Sequence, residues 1–177
     1  MARFSSRKLH TENELYDYAI GALTRRMRSI AELKRQLRSR VEPNEIGQTL
    51  VELVIRKLKD QGYLNDAKYA AAYSSFRRDN EKFGPRRVIT ELKVKGVHGE
   101  LISAAVENAY ENVNEDKQAR EYLRRKRLSK PRDKKEAARV FRHLVRAGFG
   151  SKTIFKILKK WDVDEELLGE LEIPDQE

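Results

Sequence analysis

Cysteine is absent from the 177 residues, which excludes a disulfide framework, a thiolate metal site and a cysteine nucleophile. Proline occurs four times and glycine nine times, too rarely for a linker-like or collagen-like chain. No run approaches the roughly 18 apolar residues of a membrane span. The opening MARFSSRKLH lacks the apolar stretch of a secretory signal. Strict apolar/polar alternation over a strand length is equally scarce. The three histidines, His10, His98 and His143, show no H-x-x-x-H or H-E-x-x-H spacing. No GxGxxG, phosphate-cradling loop or G-x-S-x-G elbow occurs. A metal-dependent nuclease needs several carboxylates converging on a cation. Asp60 and Asp66 are the candidates, and Asp66 reads better as a helix N-cap. The expectation is a cytoplasmic protein without catalysis, cofactor or metal.

What the chain has in abundance is charge. Charged residues make up 37%, against roughly 25% in an ordinary soluble domain. Thirty-eight Lys and Arg face 28 Asp and Glu, a formal charge of +10. The excess is unevenly spread. Residues 162–177 hold eight acids and no base, so the preceding 161 residues carry about +18. A polyanionic or acidic partner is the class this implies.

Apolar residues recur every three or four positions, the period of one-faced helices. Leu15, Tyr18/Ala19, Ala22/Leu23 and Met27 form the first stripe. Ser29 and Glu32 have capping-box spacing ahead of Leu33 and Leu37. Pro43 suits the first turn of a helix carrying Ile46, Leu50, Leu53/Val54 and Leu58, which Gly62 stops. Asn65 or Asp66 caps the next, with Tyr69, Ala72/Tyr73 and Phe76 on its stripe. Pro85 starts a helix through Val88 and Leu92, ended by Gly96. Further helices run through Leu101–Val113, through Ala119 and Tyr122/Leu123, through Val140/Leu144, and from Ser151 through Trp161. The total is about nine helices and no strand.

These helices repeat. Leu37, Leu92 and Leu144 stand 55 and 52 residues apart, each four residues after Leu33, Val88 or Val140. Gly96 and Gly148 follow their leucines by four. Ile102 and Ile154 follow by ten, and Ile46 follows Leu37 by nine, which reads as a one-residue loop difference. Tyr18 and Tyr73 both precede their leucine by nineteen. The expected fold is all-α: an elongated tandem array of three three-helix, helix-turn-helix-like repeats of about 50 residues. They span residues 13–64, 65–114 and 115–163, after a flexible N-terminal extension (1–12) and before an acidic C-terminal tail (164–177). A 50-residue unit is marginal alone, so three in series support one another.

Three basic clusters fall at equivalent places, near the junction of the first two helices of each repeat. The set expected to contact a partner on electrostatic grounds is Arg25, Arg26, Arg28, Arg35 and Arg38 in the first. It continues with Arg77, Arg78, Lys82, Arg86, Arg87 and Lys93, then Arg124, Arg125, Lys126, Arg127 and Arg142. Residues 120–146 alone contain twelve bases and three acids. Any one such run reads as a solvated helix face. Three in register suit a phosphate backbone, with salt-sensitive contacts and little base readout. Tyr16, Tyr69, Tyr73, Phe76 and Phe83 lie near these bases, either as core or as stacking groups, and the acidic tail competes for the same surface.

The motif Gly62-Tyr63-Leu64-Asn65-Asp66 with Tyr69-Ala70 resembles the "GYLND…FA" junction of the RecX recombination regulators. So do Phe83-Gly84-Pro85-Arg86-Arg87-Val88-Ile89, Glu91-Leu92-Lys93 and Lys95-Gly96-Val97 in the middle, and Phe141, Leu144, Arg146, Gly148-Phe149 near the end. In the first repeat Ser29, Glu32-Leu33 and Leu37 fit the same pattern, while Arg40-Val41 departs from the Lys/Ala-Gly stop of the others. The resemblance covers residues 15 to about 162. It implies a non-enzymatic monomer that binds the RecA recombinase, lodges in the groove of its filament on single-stranded DNA, and dampens strand exchange and ATP hydrolysis in DNA repair and homologous recombination. The alternative from composition is a sequence-reading or non-specific DNA-binding protein built from tandem helix-turn-helix units.

Overall fold

The computed structural model describes residues 8–163. Among these the chain forms nine α-helices and no strand, as the periodicity predicts. They are α1 Glu12–Arg25, α2 Ile30–Arg38, α3 Glu45–Asp60, α4 Asp66–Phe76, α5 Pro85–Val94, α6 Gly99–Tyr110, α7 Glu115–Arg125, α8 Lys134–Arg146 and α9 Ser151–Lys160. A π-helical turn, Arg77–Glu81, follows α4. The acidic tail and residues 1–7 of the N-terminal extension lie outside the described residues. No described helix is long and apolar enough to cross a membrane.

Short polar side chains set the helix starts by satisfying free backbone N–H groups. Thr11 with Glu14 and Ser29 with Glu32 form complete capping boxes on α1 and α2. At α3 the cap is Asn44, whose side chain accepts from Gly47 N at 2.8 Å, so Pro43 stands before the helix and not in its first turn. Asn65 caps α4 by accepting from Lys68 N at 2.9 Å. Asp66, the first residue of that helix, reaches elsewhere: its Oδ1 accepts from Ile30 N at the start of α2, 2.9 Å away. Ser151 is likewise the first residue of α9, behind Gly150, and Glu115 of α7 supplies the cap from a distance. Its two carboxylate oxygens accept from Gly150 N at 2.8 Å and Thr153 Oγ1 at 2.6 Å.

Burial corrects the register of the first repeat. Ile46 is 72% exposed, while Gly47 and Val51 are buried. Counted from the repeat leucine, the buried positions are ten and fourteen in all three repeats: Gly47 and Val51, Ile102 and Val106, Ile154 and Leu158. There is no loop difference. Position 47 carries no apolar signal because glycine has no side chain, and a Cβ there would overlap the Glu42 carbonyl. A second feature repeats in polar form. Tyr18 Oη accepts from Gln36 Nε2 at 2.7 Å, and Tyr73 Oη, one repeat on, donates to Glu91 Oε2 at 2.8 Å. Gln36 and Glu91 each sit immediately before their repeat leucine.

The chain divides into two compact units. Among the described residues, one takes those up to Ala70 together with Leu92–Ile102; the other takes Ala71–Glu91 and those from Ser103 on. In the first, α1, α2 and α3 pack on one another around Leu15, Ala19, Leu33, Leu37, Val51, Val54 and Leu58. Burying each of these leucines contributes roughly 1.5–3 kcal/mol. In the second, α9 packs on α7 and α8. Val88, Leu123, Val140, Leu144, Ile154 and Leu158 are buried there, and Tyr122 lies between the rings of Phe83 (6.2 Å) and Phe149 (5.8 Å). Each unit contains a glycine that ends a second helix in the left-handed region and permits close approach. A Cβ on Gly96 (φ 75°) would lie 2.5 Å from Ala31 Cβ, and one on Gly148 (φ 86°) would overlap Arg87 N.

Candidate functional site

The basic residues concentrate at helix C-termini: Arg25 on α1, Arg35 and Arg38 on α2, Lys93 on α5, Arg124 and Arg125 on α7. Cations there meet the negative end of the helix dipole, so the fold gains from them before any partner binds. Hydrogen bonds and ion pairs then separate bases that hold the fold from bases that face outward unopposed.

In the first unit, Arg25, Arg26, Arg35 and Lys93 are exposed and have no acidic partner among the described residues. Arg28 is half-buried, donating from Nε to Ala22 O at 3.4 Å across the end of α1. Arg38 stands 3.8 Å from Glu52, which also takes Lys34. Lys95 pairs with Glu32 at 2.9 Å. Burial pushes the Glu32 carboxyl up, but the hydrogen bonds from Lys95 and Ser29 outweigh it and hold the group below its ordinary value.

The second unit divides more sharply. Arg77 donates to Tyr73 Oη at 2.8 Å, pairs with Glu91 at 2.9 Å and lies over Phe83 at 5.5 Å. Arg87 pairs with Glu91 at 3.0 Å, donates to Arg146 O and stacks on Phe83 at 3.8 Å. Arg78 is held by Asp79 at 2.7 Å and donates to Ala109 O in the last turn of α6. Lys82 and Arg125 pair with Glu121 (3.2 Å) and Glu81 (3.5 Å). Five of the bases singled out in sequence are thus committed within this unit. Arg86, Arg124, Lys126, Arg127 and Arg142 are exposed without an acidic partner among the described residues.

His143 reports the field these residues create. Burial first, then Arg139, Arg146, Lys126 and Arg142, hold its imidazole below the usual value. Four cations near one imidazole define a concentrated positive surface on α8 and the end of α7. Arg139 and Arg146 belong to it and were not singled out from sequence. Their signal was present in the spacing 139, 142, 143, 146, which is one helix face. Lys117, Arg120 and Arg124 similarly share a face of α7 with Glu121. Among the aromatic stacking candidates, Tyr69 and Phe83 are buried and Tyr73 is engaged by Glu91 and Arg77. Tyr16 donates to Gln61 at 2.8 Å under the Lys57 ammonium. Phe76 is 54% exposed and presents an open ring. Among the described residues no three His, Asp or Glu side chains cluster as a metal site.

These features define a class: all-helical proteins of three-helix repeats faced with unopposed cations. Residues 65–106, which carry α4, α5 and most of α6, match the family model described as RecX, second three-helix domain. The regulatory protein RecX of Leptothrix cholodnii is 34% identical over 145 residues, covering 81% of this chain and 87% of that protein. On that extent the chain belongs to the RecX family of regulatory proteins. The regulatory protein RecX of Oceanobacillus iheyensis is 29% identical over 166 residues, covering 92% of this chain and 59% of its own. The chain spans a similar 54% and 57% of the relatives from Bacillus licheniformis and Bacillus pumilus. The crystal structure of RecX from Lactobacillus salivarius shares the fold, with a TM-score of 0.65 at 22% identity over 85% of this chain and 96% of that one.

Proposed function

We propose that this protein regulates the RecA recombinase, binding its filament on single-stranded DNA and restraining strand exchange and ATP hydrolysis. The observation that carries the reading is family membership, at 34% identity over most of a named regulatory protein RecX. The cation surface supports it physically. Arg25, Arg26, Arg35 and Lys93 in one unit, and Arg86, Arg124, Lys126, Arg127, Arg139 and Arg142 in the other, have charges that no described acid consumes. Such groups attract phosphates or acidic protein surfaces. Their spread over successive repeats favours a polymer, because contacts after the first are made at high effective concentration. The chain acts as a monomer in this reading and uses no cofactor.

Titrating the protein into RecA's single-stranded-DNA-stimulated ATPase tests it. Inhibition at substoichiometric to stoichiometric ratios is the expected result. An unchanged ATPase with tight, sequence-specific binding to duplex DNA alone would overturn it in favour of a helix-turn-helix reader. Replacing Arg124, Arg127 and Arg142 by Gln weakens inhibition without unfolding. If phosphates are the contacts, it lowers the salt-dependence slope of single-stranded DNA binding by about 0.7 per contact.

A further inference from the structure

The carbonyl three residues after the repeat leucine accepts one hydrogen bond in every repeat. Lys95 O takes it from Ser29 Oγ at 2.6 Å. Ala147 O takes it from Gly84 N at 2.8 Å, and Arg40 O from Leu9 N at 2.8 Å. In the first two cases the donor stands immediately before a second helix: Ser29 before α2, Gly84 before α5. The end of α5 thus receives the start of α2, and the end of α8 receives the start of α5, with Arg86 N adding a 3.3 Å bond to Gly148 O. Gly96 and Gly148 occupy the next position and leave room for the approach. This is the face by which one repeat stacks on another.

In the first repeat that face is filled differently. Among the described residues no helix start arrives at the end of α2. Leu9 donates its amide to Arg40 O, and Lys8 Nζ donates to Val41 O at 2.8 Å. Val41 replaces the glycine of the other repeats and is buried, and Leu9 packs half-buried against the adjoining core. Two residues before α1 therefore stand in for a helix N-terminus.

The complementary face, on the third repeat, is also altered. Ser29 and Gly84 stand eight residues before their leucines, whereas α8 begins ten before Leu144 behind its cap Asp133, about one turn longer than the other two. Position eight is Glu136. Its carboxylate accepts from Arg132 N at 2.9 Å, and Asp133 Oδ1 accepts from Glu136 N at 2.7 Å. Two carboxylates thus occupy the place where the stacking face needs donors, and they repel the carbonyls of an arriving helix end.

We infer that Lys8 and Leu9 at one end, and Asp133 and Glu136 at the other, close the repeat-stacking faces against a second copy of this chain. Both halves of the contact reside on one sequence, so copies with open faces join head to tail, a heterologous contact that does not close on itself.

The experiment uses two variants. One lacks residues 1–9 and exposes Arg40 O and Val41 O. The other carries Asp133→Ser and Glu136→Ser, which put hydroxyl donors at the start of α8. Sedimentation of an equimolar mixture shows a species of twice the monomer mass, while each variant alone and the wild type remain monomeric. A mixture that stays monomeric, with both variants helical by circular dichroism, overturns the inference. So does self-association of the wild type. If the shortened variant does not fold, amide exchange in the wild type decides: the Leu9 amide is protected to the extent of Gly84, and rapid exchange at Leu9 overturns the inference.

Discussion

Replacement of Gly148 separates two reasons for a glycine. Its φ of 86° places it in the left-handed region, where a side chain costs about 1 kcal/mol. A Cβ would also overlap the backbone nitrogen of Arg87. Relieving that overlap means parting the end of α8 from the start of α5. The bonds from Gly84 N to Ala147 O, Arg86 N to Gly148 O and Arg87 Nη1 to Arg146 O are then weakened, each contributing about 1 kcal/mol net. Gly148→Ala is expected to cost about 3 kcal/mol or more. Gly62 has a similar φ, 78°, with nothing within 4 Å of a built Cβ, so Gly62→Ala costs about 1 kcal/mol. With a urea m-value of about 2 kcal/mol/M, the two midpoints differ by roughly 1 M. Asparagine, which tolerates the left-handed region, restores most of the loss at 62 and little at 148. Circular dichroism follows both units, and Trp161 fluorescence follows the second. A Gly148→Asn protein as stable as the wild type would refute the reasoning, because conformation and not close approach would then set the requirement.

Arg77→Met leaves Glu91 and the Tyr73 hydroxyl short of a partner and lowers stability by about 2 kcal/mol, while the exposed Arg142→Gln changes it by less than about 0.5 in the same urea titration. Glu115→Ala removes the remote cap of α9 and costs about 1–2 kcal/mol, read as a fall in Tm of roughly 3–6 °C; no shift would mean that water replaces the carboxylate freely. His143, held below its ordinary value by burial and by Arg139, Arg146, Lys126 and Arg142, binds its proton less readily folded than unfolded. Its stabilising effect is complete above about pH 6.5 and is lost as pH falls through the lower folded value. His143→Gln therefore loses less stability than the wild type between about pH 7 and 5, and equal losses would contradict this.

The helices, their stops and the threefold repeat were legible in sequence because each rests on local chemistry. An apolar stripe at three- and four-residue spacing, a capping side chain and a left-handed glycine act within one or two turns, so Leu37, Leu92 and Leu144, Ser29 with Glu32, and Gly62, Gly96 and Gly148 speak for themselves. Charge was legible as a sum and as three clusters. What tertiary structure alone decided is which charges are spent. Arg77 and Arg124 are indistinguishable as letters, yet one is enclosed by Tyr73, Glu91 and Phe83 and the other faces outward, because the acids and rings that claim a guanidinium arrive from distant helices. The same holds for Asp66 and Glu115, whose carboxylates cap helices 36 and 35 residues away. It holds again for Gly47, whose burial no apolar side chain announced. Helices follow from interactions between near neighbours, and the use of a polar group follows from whatever partner the packed chain brings within hydrogen-bond reach.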